Sequence, residues 1–220
     1  MKRTLIYVPN KHMQHELSPE TRRFVSNSLP DENAAYDFWQ HTLNAVGETI
    51  IRYQPDFFGL FSEDWSTERQ LKICRETVQE RTSQFLGALS FNAFMVSMGA
   101  EPHITEDALL IRRAELAQQR VMRIARRNPN RIPVADVAAM HEAVVVNRDR
   151  AIGTRLAKTV PDNGLAILAM GAGHDVPKYL DETWEIVVVT TPNVLAVAES
   201  GPDLGKPEVW PKIYRAQSRP

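Results

Sequence analysis

The chain has 220 residues, with 26 basic against 27 acidic side chains and one cysteine. That length allows one substantial core, or one core carrying a helical insert, and a charge this close to neutral argues against a general polyanion-binding protein. A lone Cys74 excludes an internal disulfide and any multi-cysteine zinc or iron–sulfur centre, and too few apolar residues follow Met1-Lys-Arg for a secretory or spanning segment, so a soluble, cytoplasmic chain is expected.

Thr4 to Pro9 is an unbroken apolar run with β-branched and aromatic members, which predicts a short buried strand. Ser18-Pro19-Glu20 has the pattern of a helix start, with an N-cap followed by proline at the first helical position. Ala35, Phe38, Trp39, Leu43, Val46 and Ile50 recur at helical spacing and predict a helix over about 31–53, ended by Pro55. Asp56-Phe-Phe-Gly-Leu-Phe61 predicts the second strand, which runs straight into Ser62-Glu63-Asp64. Everything from Glu68 to Arg131 reads as helical, with Phe85, Leu89, Phe94, Met95 and Met98 as its apolar residues. A break falls at Gly99 to Pro102, and a further helix covers about 107–127 before Asn128-Pro129. Pro133 to Val160 reads as one long helix leading to a third strand at 164–171. Glu185 to Thr190 is the fourth strand, ended by Pro192; after about residue 200 the composition turns to Pro, Gly and charge, with Trp210 and Tyr214 as anchors. Apolar strands alternating with helices predict an α/β fold, a mainly parallel sheet of about four or more strands covered by helices. We read a single domain over 1–220, with a helical insertion over about 66–131 and a C-terminal extension over about 200–220.

In a parallel sheet the residues just past each strand share one rim, where open α/β folds place their ligands. Here those residues are His12, Glu63 with Asp64, His174 with Asp175, and Thr190 with Thr191. Two imidazoles and one or two carboxylates suit zinc, manganese, iron or cobalt, with His12, His174 and Glu63 as ligands and an open position for water. Such an ion would make hydroxide available near neutral pH. Without a metal the same groups could act as general base and orienting acid. Each residue alone also has a plain reading, as a loop histidine or as an acid favouring a helix N-terminus, and the case rests on their convergence. His15 could join the site or merely solvate the loop.

On the long helix His141, Arg148 and Arg155 recur every seven residues among Val137, Val144, Ala151 and Ile152. A guanidinium on an apolar face must reach the edge or find a partner, so Arg148 could face Glu63, Asp64 or a substrate oxyanion, or form a structural ion pair. Gly171-Ala-Gly173 lacks the third glycine of a dinucleotide loop, since Val176 stands there, and is read as a sharp turn. Arginines 112, 113, 120, 123, 126, 127 and 131 have no interleaved aromatics and read as a solvated face, so nucleic acid is not an expected partner. Cys74 lies in a charged helical stretch with no histidine nearby, which gives it no catalytic assignment.

The order of these pieces resembles the TraB/Tiki and erythromycin esterase/ChaN-like superfamily. The late motif reads Gly171-Ala-Gly-His174, the helix pair Arg148-Asp149, and the acid after the second strand Glu63. The early motif reads Pro9-Asn-Lys-His12, with proline where those proteins carry glycine. The resemblance implies an α/β core with a helical insertion and a site built from His12, Glu63, Arg148 and His174. It implies a hydrolase of ester or peptide bonds acting on a small molecule or peptide, with a divalent metal as in Tiki proteins or without one as in erythromycin esterases. Two alternatives stay open: a ChaN-like haem or planar-ligand binder covered by the Phe- and Met-rich insert, or an interaction protein with a degenerate site, which Pro9 favours.

Overall fold

The structure, a computed structural model, describes residues 2–10, 32–63, 65–80, 88–127, 132–171 and 173–189. The elements in chain order are β1 (Arg3–Asn10), α1 (Glu32–Tyr53), β2 (Phe58–Ser62), α2 (Glu68–Glu80), α3 (Ala88–Ser97), β3 (Glu101–Pro102), α4 (Ala108–Arg127), α5 (Val134–His141), a π turn (Glu142–Val146), α6 (Asn147–Thr159), β4 (Leu165–Gly171), a 3-10 turn (Val176–Tyr179) and β5 (Trp184–Val188). The strands form one sheet in the order β3-β2-β4-β1-β5, and every pairing is parallel. The α/β fold expected from the alternation of apolar runs and helices is therefore present. The helix start at Ser18-Pro19 and the anchors Trp210 and Tyr214 lie outside the described residues.

β4 sits at the middle of the sheet, between β1 and β2, with Ile167 opposite Ile6 on one side and Leu60 on the other. All seven of its residues are buried, which is why it reads as a continuous apolar run instead of an alternating one. Alternate residues divide between two layers. Ile6, Val8, Leu60, Ile167 and Ala169 pack with Trp39 and Val46 of α1, Leu71 and Cys74 of α2, and Phe91 and Met95 of α3. On the other face Leu5, Tyr7, Phe61, Leu168 and Met170 pack with Ile152 and Leu156 of α6 and with Val176. Each fully buried Leu or Ile contributes about 1.5–3 kcal/mol in removal of apolar surface from water.

Two features depart from the elements expected of the sequence. The break at Gly99 to Pro102 contains β3, a two-residue strand paired to Gly59 and Leu60. It is too short for any periodicity, and Pro102 is tolerated there because the strand is at the edge of the sheet. The expected long helix over 133–160 follows one path but is divided by the π turn, where the Asn147 N–H reaches back five residues to the Glu142 carbonyl. The turn falls on Val144-Val145-Val146, three β-branched residues that crowd an α-helix. Helical-wheel phase is not carried across such a turn, so His141, before it, loses the angular relation to Arg148 that unbroken spacing implied. Val144 instead packs with Val121 and Ala125 of α4 and Met140 of α5.

Candidate functional site at the C-terminal rim

Glu63 is the first residue past β2. Its N–H continues the ladder to the Ala169 carbonyl at 2.9 Å, and its side chain supplies the next rung, Oε2 accepting the Gly171 N–H at 2.8 Å. The other oxygen, Oε1, lies 3.6 Å from His174 Nε2 and 3.7 Å from an Arg148 nitrogen. Both separations are longer than a direct hydrogen bond and within ion-pair range.

His174 follows β4 through a turn closed by its own N–H to the Gly171 carbonyl at 3.0 Å. A Cβ on Gly173 would meet nothing within 4 Å, so space does not demand glycine at that position. The ring is held by Asp149 of α6, Nδ1 to Oδ1 at 2.5 Å, while Asp149 Oδ2 accepts the Asp175 N–H at 2.7 Å. The Tyr7 hydroxyl donates to the His174 carbonyl at 2.7 Å. Burial by itself would lower the His174 pKa, but the bond to Asp149 and the charge of Glu63 outweigh it and push it up to about 9. The imidazole is therefore charged at neutral pH. Burial and the charges of Asp149, Asp175 and Glu63 raise the Tyr7 hydroxyl well above its ordinary value, which keeps it a donor.

Arg148 and Asp149 are consecutive, and both are buried. Arg148 makes a forked pair with Glu106, Nε to Oε2 at 2.5 Å and Nη2 to Oε1 at 2.7 Å. Arg155, one heptad on, donates to the Glu106 carbonyl at 2.8 Å. Both readings of Arg148 thus meet in one residue, a structural ion pair on one side and Glu63 on the other.

Of the four residues singled out in the sequence, Glu63, Arg148 and His174 converge on the rim of β2 and β4. His12 lies outside the described residues, as do His15, Asp64, Thr190 and Thr191. Two participants escaped sequence reasoning. Glu106 sits in His103-Ile-Thr-Glu-Asp107 ahead of α4 and resembles an ordinary helix-start acid. Asp149 was visible only as half of the Arg148-Asp149 pair, and between Asn147 and Arg150 nothing in the sequence marked it as buried.

Among the described residues no group of three or more His, Cys, Asp or Glu side chains stands where it could hold a metal ion. His174 and Glu63 offer two donors, and a third would come from beyond those residues, where His12 lies. The insert's Phe91 and Met95 are packed in the core against Trp39, and Met98 is exposed. Cys74 is buried, which pushes its thiol up to about 11 and leaves it unreactive at neutral pH. Arg112 pairs with Glu115 at the surface of α4, and Arg120 reaches across to Asp136 of α5. A hollow at the opposite, N-terminal end of the strands is lined by Lys2, Tyr53, Asn163 and Glu185 among others. It is built around a Tyr53 to Glu185 hydrogen bond and is remote from His174.

No helix among the described residues is long and apolar enough to cross a membrane. No family model, curated protein or solved structure matches the chain.

Proposed function

We propose that this chain hydrolyses ester or amide bonds, with a small molecule or peptide bound at the C-terminal rim of the sheet, as its resemblance to TraB/Tiki and erythromycin esterase-like proteins implies. The observation that carries the reading is the line Asp149–His174–Glu63, an imidazole held 2.5 Å from one buried carboxylate and 3.6 Å from a second.

In this reading Glu63 is the base. It accepts a proton from a water placed near Oε1 as that water attacks the carbonyl carbon. His174, kept charged by Asp149, gives its Nε2 proton to the leaving oxygen or nitrogen. Asp149 orients the ring and opposes its charge, and Arg148 adds positive potential beside the developing oxyanion. The buried setting strengthens each of these interactions relative to water.

The test is a panel of ester and peptide substrates assayed with wild type and His174→Ala, alongside elemental analysis and a chelator control. Turnover that disappears in His174→Ala and survives chelation supports the reading. Equal turnover by the two proteins, or none on the whole panel, removes it.

A further inference from the structure

We propose that Glu106 is a positioning residue of the rim site: it captures the Arg148 fork and so keeps that guanidinium from closing on Glu63, leaving Glu63 turned toward His174. The inference rests on the proposed hydrolysis only for its effect on rate; the geometric claim stands without it.

Among the described residues Arg148 has two carboxylates within reach, Glu106 and Glu63. A guanidinium and a carboxylate prefer a forked, two-bond pairing, and a carboxylate so engaged is poorly placed to act as a base. The fork goes to Glu106, at 2.5 and 2.7 Å, while Glu63 Oε1 is left at 3.7 Å from the same guanidinium. Glu106 wins because it is fastened down. Its N–H donates to the Trp65 carbonyl at 2.9 Å, and that carbonyl also accepts the Thr105 N–H at 2.8 Å. The Thr105 hydroxyl accepts the Ser62 N–H at 2.9 Å, and the Glu106 carbonyl accepts from Arg155. The strand end that carries Glu63 is therefore stitched, on both sides of Glu63, to the loop that carries Glu106. The separation of the two carboxylates is built into the backbone, and Arg148 is held between them.

His174 reports on this arrangement. Among the described residues the groups that face it are Asp149 from α6, Glu63 from the end of β2, and the Tyr7 hydroxyl on its carbonyl from β1, while Arg148 reaches it only through Glu63. Neutralising Glu106 releases Arg148 to pair with Glu63, which weakens the hold of Glu63 on the imidazolium.

The experiment follows the His174 ring resonances by NMR as a function of pH in the full chain, assigned by their loss in His174→Gln. In Glu106→Gln, an isosteric change, the His174 titration is expected to move down by about one unit, the effect of one neighbouring opposite charge. In Arg148→Met the further change Glu106→Gln should have no effect, because the competing guanidinium is gone. A His174 titration unmoved by Glu106→Gln, or moved equally in the two backgrounds, overturns the proposal. Should Glu106→Gln fail to fold, Glu106→Asp, which keeps the charge but shortens the reach, takes its place with a smaller shift of the same sign expected. Kinetics on any hydrolysed substrate are read separately: kcat should fall in Glu106→Gln with KM little changed. A wild type without turnover would remove the hydrolase reading while leaving the NMR result to decide Glu106.

Discussion

Asp149 holds His174 from two directions, one oxygen on the ring at 2.5 Å and the other on the following backbone N–H at 2.7 Å. The ring and the loop that carries it are thereby oriented by a single carboxylate on α6. Asp149→Asn keeps the shape and removes the charge. We expect the His174 pKa to fall by about 1–3 units from its raised value, and hydrolysis, where a substrate is found, to fall roughly 100-fold or more as general acid catalysis is lost. An NMR titration of His174 and the pH profile of kcat check the two effects separately.

The raised His174 pKa also predicts how stability depends on pH. The folded state holds the proton up to about 9, against an ordinary value of 6.5. Below about pH 6.5 both folded and unfolded chains are protonated and the contribution is present in full. As pH rises from there the unfolded chain releases its proton first, and the contribution is lost on passing through about pH 9. It amounts to at most about 3 kcal/mol. Urea unfolding between pH 6 and 10 should show this decline, and His174→Gln should flatten it.

The Arg148–Glu106 pair is buried, with side chains 8% and 1% exposed. Removing Glu106 takes the two-bond fork from a buried guanidinium, and Glu63, 3.7 Å away, replaces only part of it. Glu106→Ala is expected to cost about 3–5 kcal/mol, and replacing both residues by apolar ones of similar volume, Glu106→Leu with Arg148→Met, should recover most of that loss. Chemical denaturation of the three proteins measures it. A double variant as unstable as Glu106→Ala would contradict this account.

Gly153 of α6 and Gly47 of α1 should respond oppositely to alanine. A Cβ on Gly153 would stand 2.9 Å from the Tyr179 Cβ and 3.4 Å from its carbonyl oxygen, where α6 meets the 3-10 turn after His174. A Cβ on Gly47 would meet nothing within 4 Å. We expect Gly47→Ala to gain about 0.5–1 kcal/mol through helix propensity, and Gly153→Ala to lose about 1 kcal/mol or more as the overpacked contact is forced apart. Thermal melting of each variant decides it.

The sheet was readable because its central strands are long and apolar on both faces, and β4 above all announces itself as a buried run. Glu63 and His174 were readable for the same reason: a parallel sheet delivers the residue after each strand to one rim, so topology alone brought them together. Arg148 stood out because a guanidinium on an apolar helix face needs a partner. The identity of that partner was hidden, since Glu106 approaches from a loop 42 residues earlier and the two-residue strand that positions the loop has no periodic signal. The π turn was hidden likewise; it breaks helical phase within a segment whose composition is uniformly helical, and only the three consecutive valines hint at it.

The Oε2 atom of Glu63 occupies the place of a backbone carbonyl, accepting the Gly171 N–H where the β2–β4 ladder would otherwise run out. The aim of this acid is thus inherited from strand alignment: as the two strands zip together, the last tooth of the zipper is the carboxylate itself. Shortening that side chain by one methylene would cost the tooth and the aim at once, whereas a slip of one residue between the strands would turn the acid to the wrong side of the sheet. Closing of the sheet and orienting of this carboxylate are, at this position, a single event.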